Sequence, residues 1–308
     1  MTTPSPQGGL RGHSRRQRRW KLGWSTIVVA LIALVGVGLL LYPSTAAWWS
    51  QYNQSRHIVD LIEAESVSPE QTHEELDLAR KYNDGVSGGG AVLAANSNIP
   101  TSDGENAENP LEYNNLLRAN DVGLMGRLQV PIADIDLPIY HGTSDATLEI
   151  GVGHLEGTSL PVGGESTHSV LTAHRGLASS TLFSNLDVVK EGDLFAIEVF
   201  GEVLTYQVVE TQVVSPDDTQ TLLPQYGRDL VTLVTCTPLG INSHRILVTG
   251  ERITPTPDAI RDAATQPPVL PRFPWWAVGI AAGVLLVVLY VWWAGYPPRP
   301  RRKTRAGD

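Results

Sequence analysis

Two uncharged, apolar stretches at residues 24–42 and 275–293 bracket this 308-residue chain and limit what it can be. Each runs 19 residues, about the length that carries an α-helix across the hydrocarbon of a bilayer. Trp24, Tyr42, Trp275 and Trp293 sit at their edges, where amphipathic rings favour the membrane–water boundary. Arg11, Arg15, Arg16, Arg18, Arg19 and Lys21 precede the first stretch with no acid among them. Arg299, Arg301, Arg302, Lys303 and Arg305 follow the second. Basic flanks mark the cytoplasmic side of a span, so the pattern predicts two transmembrane helices, both termini cytoplasmic, and residues 43–274 outside.

Each span has a competing reading. The first could be a secretory signal cleaved near Ser44, Thr45 and Ala46, but its apolar core exceeds the usual run of about 7–15 residues. The second has the layout of a cell-wall sorting signal. The preceding Leu270, Pro271, Arg272, Phe273 and Pro274, however, hold no Thr-Gly pair to cleave. Uncleaved anchors are expected.

The intervening region carries 12 Lys and Arg against 31 Asp and Glu, a net charge of −19. Nucleic acid is excluded as a partner because its phosphates would be repelled. Acids of this density suit a soluble domain exposed on the outer face.

From the first span inward the expected organisation is a cytoplasmic tail over 1–23, a membrane segment over 24–42, and a helical then flexible region over 43–110. A β-rich catalytic domain over 111–254, a Pro-rich linker over 255–274, the second span over 275–293 and a tail over 294–308 complete it. Ile58, Leu61 and Ile62, then Leu76, Leu78 and Ala79, recur at helical spacing with Pro69 between them, which predicts two short helices. Residues 84–109, rich in Gly, Ser, Asn and Asp, read as a loop.

Between Met125 and Ile253 short apolar runs dominate. Residues 128–139 are expected as short strands interrupted by Pro131 and Pro138, followed by strands over 169–173, 194–200, 203–214, 230–235 and 245–249. A brief helix is expected over 181–186. The pattern predicts a mostly β, closed barrel or sandwich large enough to bury a core.

Cys236 is the only cysteine, and it ends an apolar run. If the runs over 230–235 and 245–249 pair as antiparallel neighbours, Cys236 and Arg245 share one rim of the sheet. His174 closes the run over 169–173. A thiolate is the nucleophilic form and is favoured by a nearby cation. An imidazole titrates near neutrality and can return a proton to a leaving amine. Arg245 stays charged and can donate to an oxyanion. The competing reading treats Cys236 as a small buried hydrophobe, with His174 and Arg245 as ordinary structural polar groups. No histidine or cysteine pair has zinc-site spacing, so no metal or other cofactor is expected.

At these residues the chain resembles a known family. Thr-Leu-Val-Thr-Cys-Thr-Pro from Thr232, His-Arg-Ile-Leu-Val-Thr-Gly from His244 and Leu-Thr-Ala-His-Arg-Gly from Leu171 are similar to the signature of sortases, cysteine transpeptidases of Gram-positive surfaces. Leu-Pro-Ile-Tyr-His-Gly-Thr from Leu137, the stretch from Gly153 to Pro161 and the second span resemble the class C, pilin-polymerising branch.

The resemblance implies an eight-stranded sortase barrel with short helices, with Cys236 as nucleophile, His174 as general acid/base and Arg245 as oxyanion- and substrate-positioning group. Thr235 and Thr237 are implied as substrate-binding neighbours. It further implies cleavage of a Leu-Pro-x-Thr-Gly-like signal between Thr and Gly, then transfer to a pilin lysine. Pilin subunits and the lipid bilayer are the implied partners. The open alternatives are a housekeeping sortase that uses a cell-wall precursor amine, and a non-catalytic tethered scaffold. Class C sortases usually carry a lid with an Asp-Pro-aromatic motif. Here the nearest match is Asn109, Pro110 and Leu111, without acid or ring, so the expectation is either a loosely held lid or an ordinary disordered linker.

Overall fold

The computed structural model describes residues 20–67, 69–86, 112–268 and 270–296. The lid candidates Asn109, Pro110 and Leu111, and the basic residues before Trp20 and after Tyr296, lie outside the described residues. The chain divides into two units, one of residues 43–274 and one of 1–42 with 275–308.

Helix α1 (Trp24–Val67) is continuous for 44 residues with Pro43 inside it, where two short helices beyond residue 46 were expected. Pro69 does mark a boundary, as the first residue of α2 (Pro69–Val86). Proline suits a helix start because the first N–H groups have no intrahelical acceptor. The barrel follows with β1 (Leu124–Val130), β2 (Ile135–His141), α3 (Asp145–Ile150), β3 (Val152–His154) and β4 (Thr167–Thr172). It closes with β5 (Leu194–Val199), β6 (Glu202–Val214), β7 (Asp229–Thr237) and β8 (His244–Ile253). After these come α4 (Asp258–Ala264), within the expected linker, and α5 (Trp275–Ala294).

The strands form a closed barrel in the order β1-β2-β3-β4-β7-β8-β6-β5. All seven longer strands send buried apolar residues to one core, among them Leu128, Ile139, Leu171, Ile197, Leu204, Leu233 and Val248. Burying each such side chain contributes about 1.5–3 kcal/mol. The α2 residues Leu76, Ala79, Tyr82 and Val86 join this core. Asn83 ties α2 down by donating to Leu160 O at 3.0 Å and accepting from Leu160 N–H at 2.7 Å.

Two local expectations change. Pro138 lies inside β2 opposite Arg127 rather than breaking the strand. It is tolerated because β3 pairs with β2 only from Ile139 onward, so on that side no ladder requires the missing N–H. The segment over 181–186 is not an α-helix: Leu182 has φ of +39°, which ends any helical run, and a single 3-10 turn follows at Leu186–Val188.

In the other unit, the apolar half of α1 and α5 pack antiparallel. Val37 lies against Gly283 and Leu41 against Gly279, while Trp20 Nε1 donates to Trp292 O at 3.3 Å. A Cβ on Gly283 would come within 2.9 Å of Val37. Small residues let apolar helices approach this closely. Both helices are long and apolar enough to cross a membrane.

Candidate active site

Strand register brings the three chemical groups into one row. The parallel β4–β7 ladder ends with Thr172 level with Val234. It is extended by Ala173 N–H donating to Val234 O at 3.2 Å and by the Thr235 hydroxyl donating to Ala173 O at 2.8 Å. One more step places His174 level with Cys236. On the other side, antiparallel pairing sets Cys236 directly opposite Arg245. Neighbouring strands lie about 4.8 Å apart, so imidazole, thiol and guanidinium arise from three adjacent backbones with the sulfur in the middle.

Alternation decides which way the row faces. Leu171, Leu233, Ile246 and Val248 point into the core, so the residues between them point out. Val170, Val234 and Leu247 form a separate cluster with Leu155 and Leu222. His174, Cys236 and Arg245 continue the parity of Val170, Val234 and Leu247. The site therefore sits on the outer wall of the barrel, at the end of this buried apolar cluster.

Cys236 is in no disulfide and is half-buried. Burial pushes its thiol pKa up, and the charge of Arg245 partly offsets this. The thiolate is the nucleophilic form, so burial works against nucleophilicity here and the Arg245 charge works for it. His174 is half-buried, and its carbonyl accepts from Phe183 N–H at 3.1 Å. Arg245 is only 5% exposed. Its Nη1 donates to Asn242 O at 3.0 Å and His244 O at 3.1 Å. Asn242 reaches this position with φ of +56°, a left-handed conformation that asparagine tolerates better than most residues.

The flanking threonines are both hydrogen-bonded within the protein. Thr235 is 1% exposed on the core side, and its hydroxyl is engaged with Ala173 O. Thr237 accepts from Arg175 Nη1 at 3.2 Å. Arg175, Asn242 and the contact of Leu239 with Gly176 escape sequence reading. Arg175 had one signal, its place beside His174 in the motif. Asn242 and Leu239 had none, because their partners are set by tertiary packing.

Residues 128–253 match the sortase domain. The chain is 32% identical to Sortase D of Bacillus subtilis over 132 residues, a match covering 42% of this chain and 64% of that protein, so it spans less than two thirds of that relative. Among solved structures it is similar to Streptococcus agalactiae Sortase C1, at 44% identity over 63% of this chain and 96% of that one, with a TM-score of 0.56. It is also similar to Streptococcus pneumoniae Sortase C, whose structure is described as giving insight into pilin substrate specificity, at 39% identity over 66% and 98%, with a TM-score of 0.57. With the barrel, the row of His174, Cys236 and Arg245 and this coverage of a solved relative, the chain belongs to the sortase family.

Proposed function

We propose that the protein is a membrane-anchored cysteine transpeptidase that cleaves a Leu-Pro-x-Thr-Gly-like sorting signal and joins the released acyl group to a pilin lysine. The alignment of His174, Cys236 and Arg245 in one row on the outer wall carries this reading.

In the first step the Cys236 thiol passes its proton to His174, and Sγ adds to the threonine carbonyl carbon. Arg245 N–H groups stabilise the oxyanion that forms, a charge-assisted interaction that strengthens as the reaction proceeds. The C–N bond breaks, His174 gives the proton to the leaving glycine nitrogen, and a thioester remains on Cys236. In the second step a lysine amine adds to the thioester, losing its proton to His174, which returns it to the departing sulfur. One difficult amide exchange becomes two acyl transfers.

The pilin acceptor is supported by the similarity to Sortase C1 and to the pneumococcal Sortase C. The antiparallel α1–α5 pair and the basic residues flanking both apolar stretches support two spans, cytoplasmic termini and a catalytic unit on the outer face.

Full-length protein in detergent micelles, mixed with a Leu-Pro-x-Thr-Gly peptide and weighed intact, should gain an acyl adduct on Cys236 that Cys236→Ala lacks. A pilin domain bearing lysine should then discharge it. Discharge by a cell-wall precursor amine alone would assign the housekeeping role instead. Absence of any adduct, with normal surface polymers in Cys236→Ala cells, would make the domain a scaffold.

A further inference from the structure

His174 lies just beyond the last β4–β7 pair, so the ladder alone does not hold it beside Cys236. Its two neighbours do. On the near side Ala173 is fastened to β7 by the Thr235 hydroxyl at 2.8 Å. On the far side Arg175 Nη1 donates to the Thr237 hydroxyl at 3.2 Å. The residues flanking the imidazole are thus bonded to the residues flanking the thiol.

Arg175 does more than bridge. Its side chain is 8% exposed, and Nη2 pairs with Asp187 at 2.6 Å. Its Nε donates to Ser184 O at 3.2 Å. The adjoining turn is closed by Gly176 N–H donating to Ser184 Oγ at 3.1 Å and by the bond from Phe183 N–H to His174 O. A planar guanidinium presents several donors in a fixed fork, so one side chain locks residues 175–187 to the end of β7. An aliphatic side chain could not bond these three acceptors, and an ammonium has no planar fork to hold them in fixed directions across the two segments.

We infer that Arg175 is a positioning residue that fixes the His174 imidazole against the Cys236 thiol, with Thr237 as its anchor on β7 and Asp187 as its brace. Thr237 then serves geometry rather than substrate contact. The kinetic side of this inference rests on the transpeptidase reading, whereas alkylation of the thiol is independent of it.

The test uses full-length protein in micelles, with rates expressed per titratable Cys236 thiol so that misfolded molecules do not count. Arg175→Gln should lower kcat about tenfold with KM within about twofold, the pattern of misplaced reacting groups. Asp187→Asn, at an exposed carboxylate, should lower kcat about threefold. The double variant should fall no further than Arg175→Gln alone, because both act through one tie. Arg175→Lys should recover only part of the loss. The pH profile of Cys236 alkylation, measured without peptide, should shift in Arg175→Gln. A superimposable alkylation profile with kcat per thiol within twofold of wild type would overturn the inference, as would multiplicative losses in the double variant. Wild-type protein that never acylates would sink the transpeptidase reading, while a shifted alkylation profile in Arg175→Gln would still uphold the positioning role.

Discussion

Cys236 and Arg245 stand directly opposite each other across the β7–β8 ladder, and the charge of the guanidinium draws the thiol pKa down against the upward push of burial. Arg245→Lys keeps a positive charge beside the sulfur but loses the planar fork. Turnover should drop by about 10²-fold, the scale of one lost oxyanion donor, while iodoacetamide labelling of Cys236 stays near the wild-type rate. Turnover within about twofold of wild type would remove Arg245 from the oxyanion role.

Asn242 holds the carbonyl that Arg245 Nη1 bonds, and does so at φ of +56°. Its own Oδ1 is buried and without a partner among the described residues. Asn242→Gly preserves the backbone and deletes an unsatisfied acceptor, so activity should be retained and stability held or slightly raised. Asn242→Val, a β-branched residue at positive φ, should swing the carbonyl away from Arg245 and cut kcat about fivefold or more. Steady-state kinetics of the two variants side by side provide the check.

Gly176 is at φ of +76°, and a Cβ there would collide with Leu239 Cδ2. The loop after β4 and the loop between β7 and β8 touch at this point. Gly176→Ala should therefore cost about 1–2 kcal/mol from backbone strain alone, a fall in Tm of about 2–8 °C. Adding Leu239→Ala should return the steric part of the loss but not the backbone part. Thermal unfolding of both variants would show this, and an unchanged Tm in Gly176→Ala would count against the contact.

His154 is fully buried, and burial lowers its pKa to about 4. Its Nε2 faces Ser159 O at 2.9 Å and its Nδ1 faces the Tyr113 hydroxyl at 2.9 Å, which suits a neutral ring with the proton on Nε2. The folded pKa lies below the unfolded one, so this contribution is complete above about pH 6.5 and is lost as pH falls toward 4. Urea unfolding between pH 7 and pH 4 should show stability falling, by roughly 1.4 kcal/mol per unit from this group. His154→Gln should flatten that slope; an identical slope in the variant would assign it to other groups.

Much of this architecture is legible in the sequence because it depends on local pattern. The apolar stretches, the hairpin turning at Gly201 between β5 and β6, and the run that ends at Cys236 each have a periodicity or a turn residue to mark them. β3 has only three residues, too few to show alternation, and α3 and α4 are shorter than the windows in which helical periodicity shows. The expectation at Pro138 failed because whether a proline interrupts a sheet depends on what lies beside it, which is a property of strand order. The site divides the same way. Cys236, His174 and Arg245 are marked by residue type at strand ends, whereas the bond from Arg175 to Thr237 joins positions 62 residues apart and leaves no local signature.

The barrel carries its reactive row on the outer wall, not in its bore. A polypeptide crossing that wall side-on has no tunnel to thread, and neither of its ends need be free. Under the transpeptidase function proposed above, a bulky folded domain on one flank of the target peptide and a membrane-embedded tail on the other can both stay in place while the bond between them is exchanged.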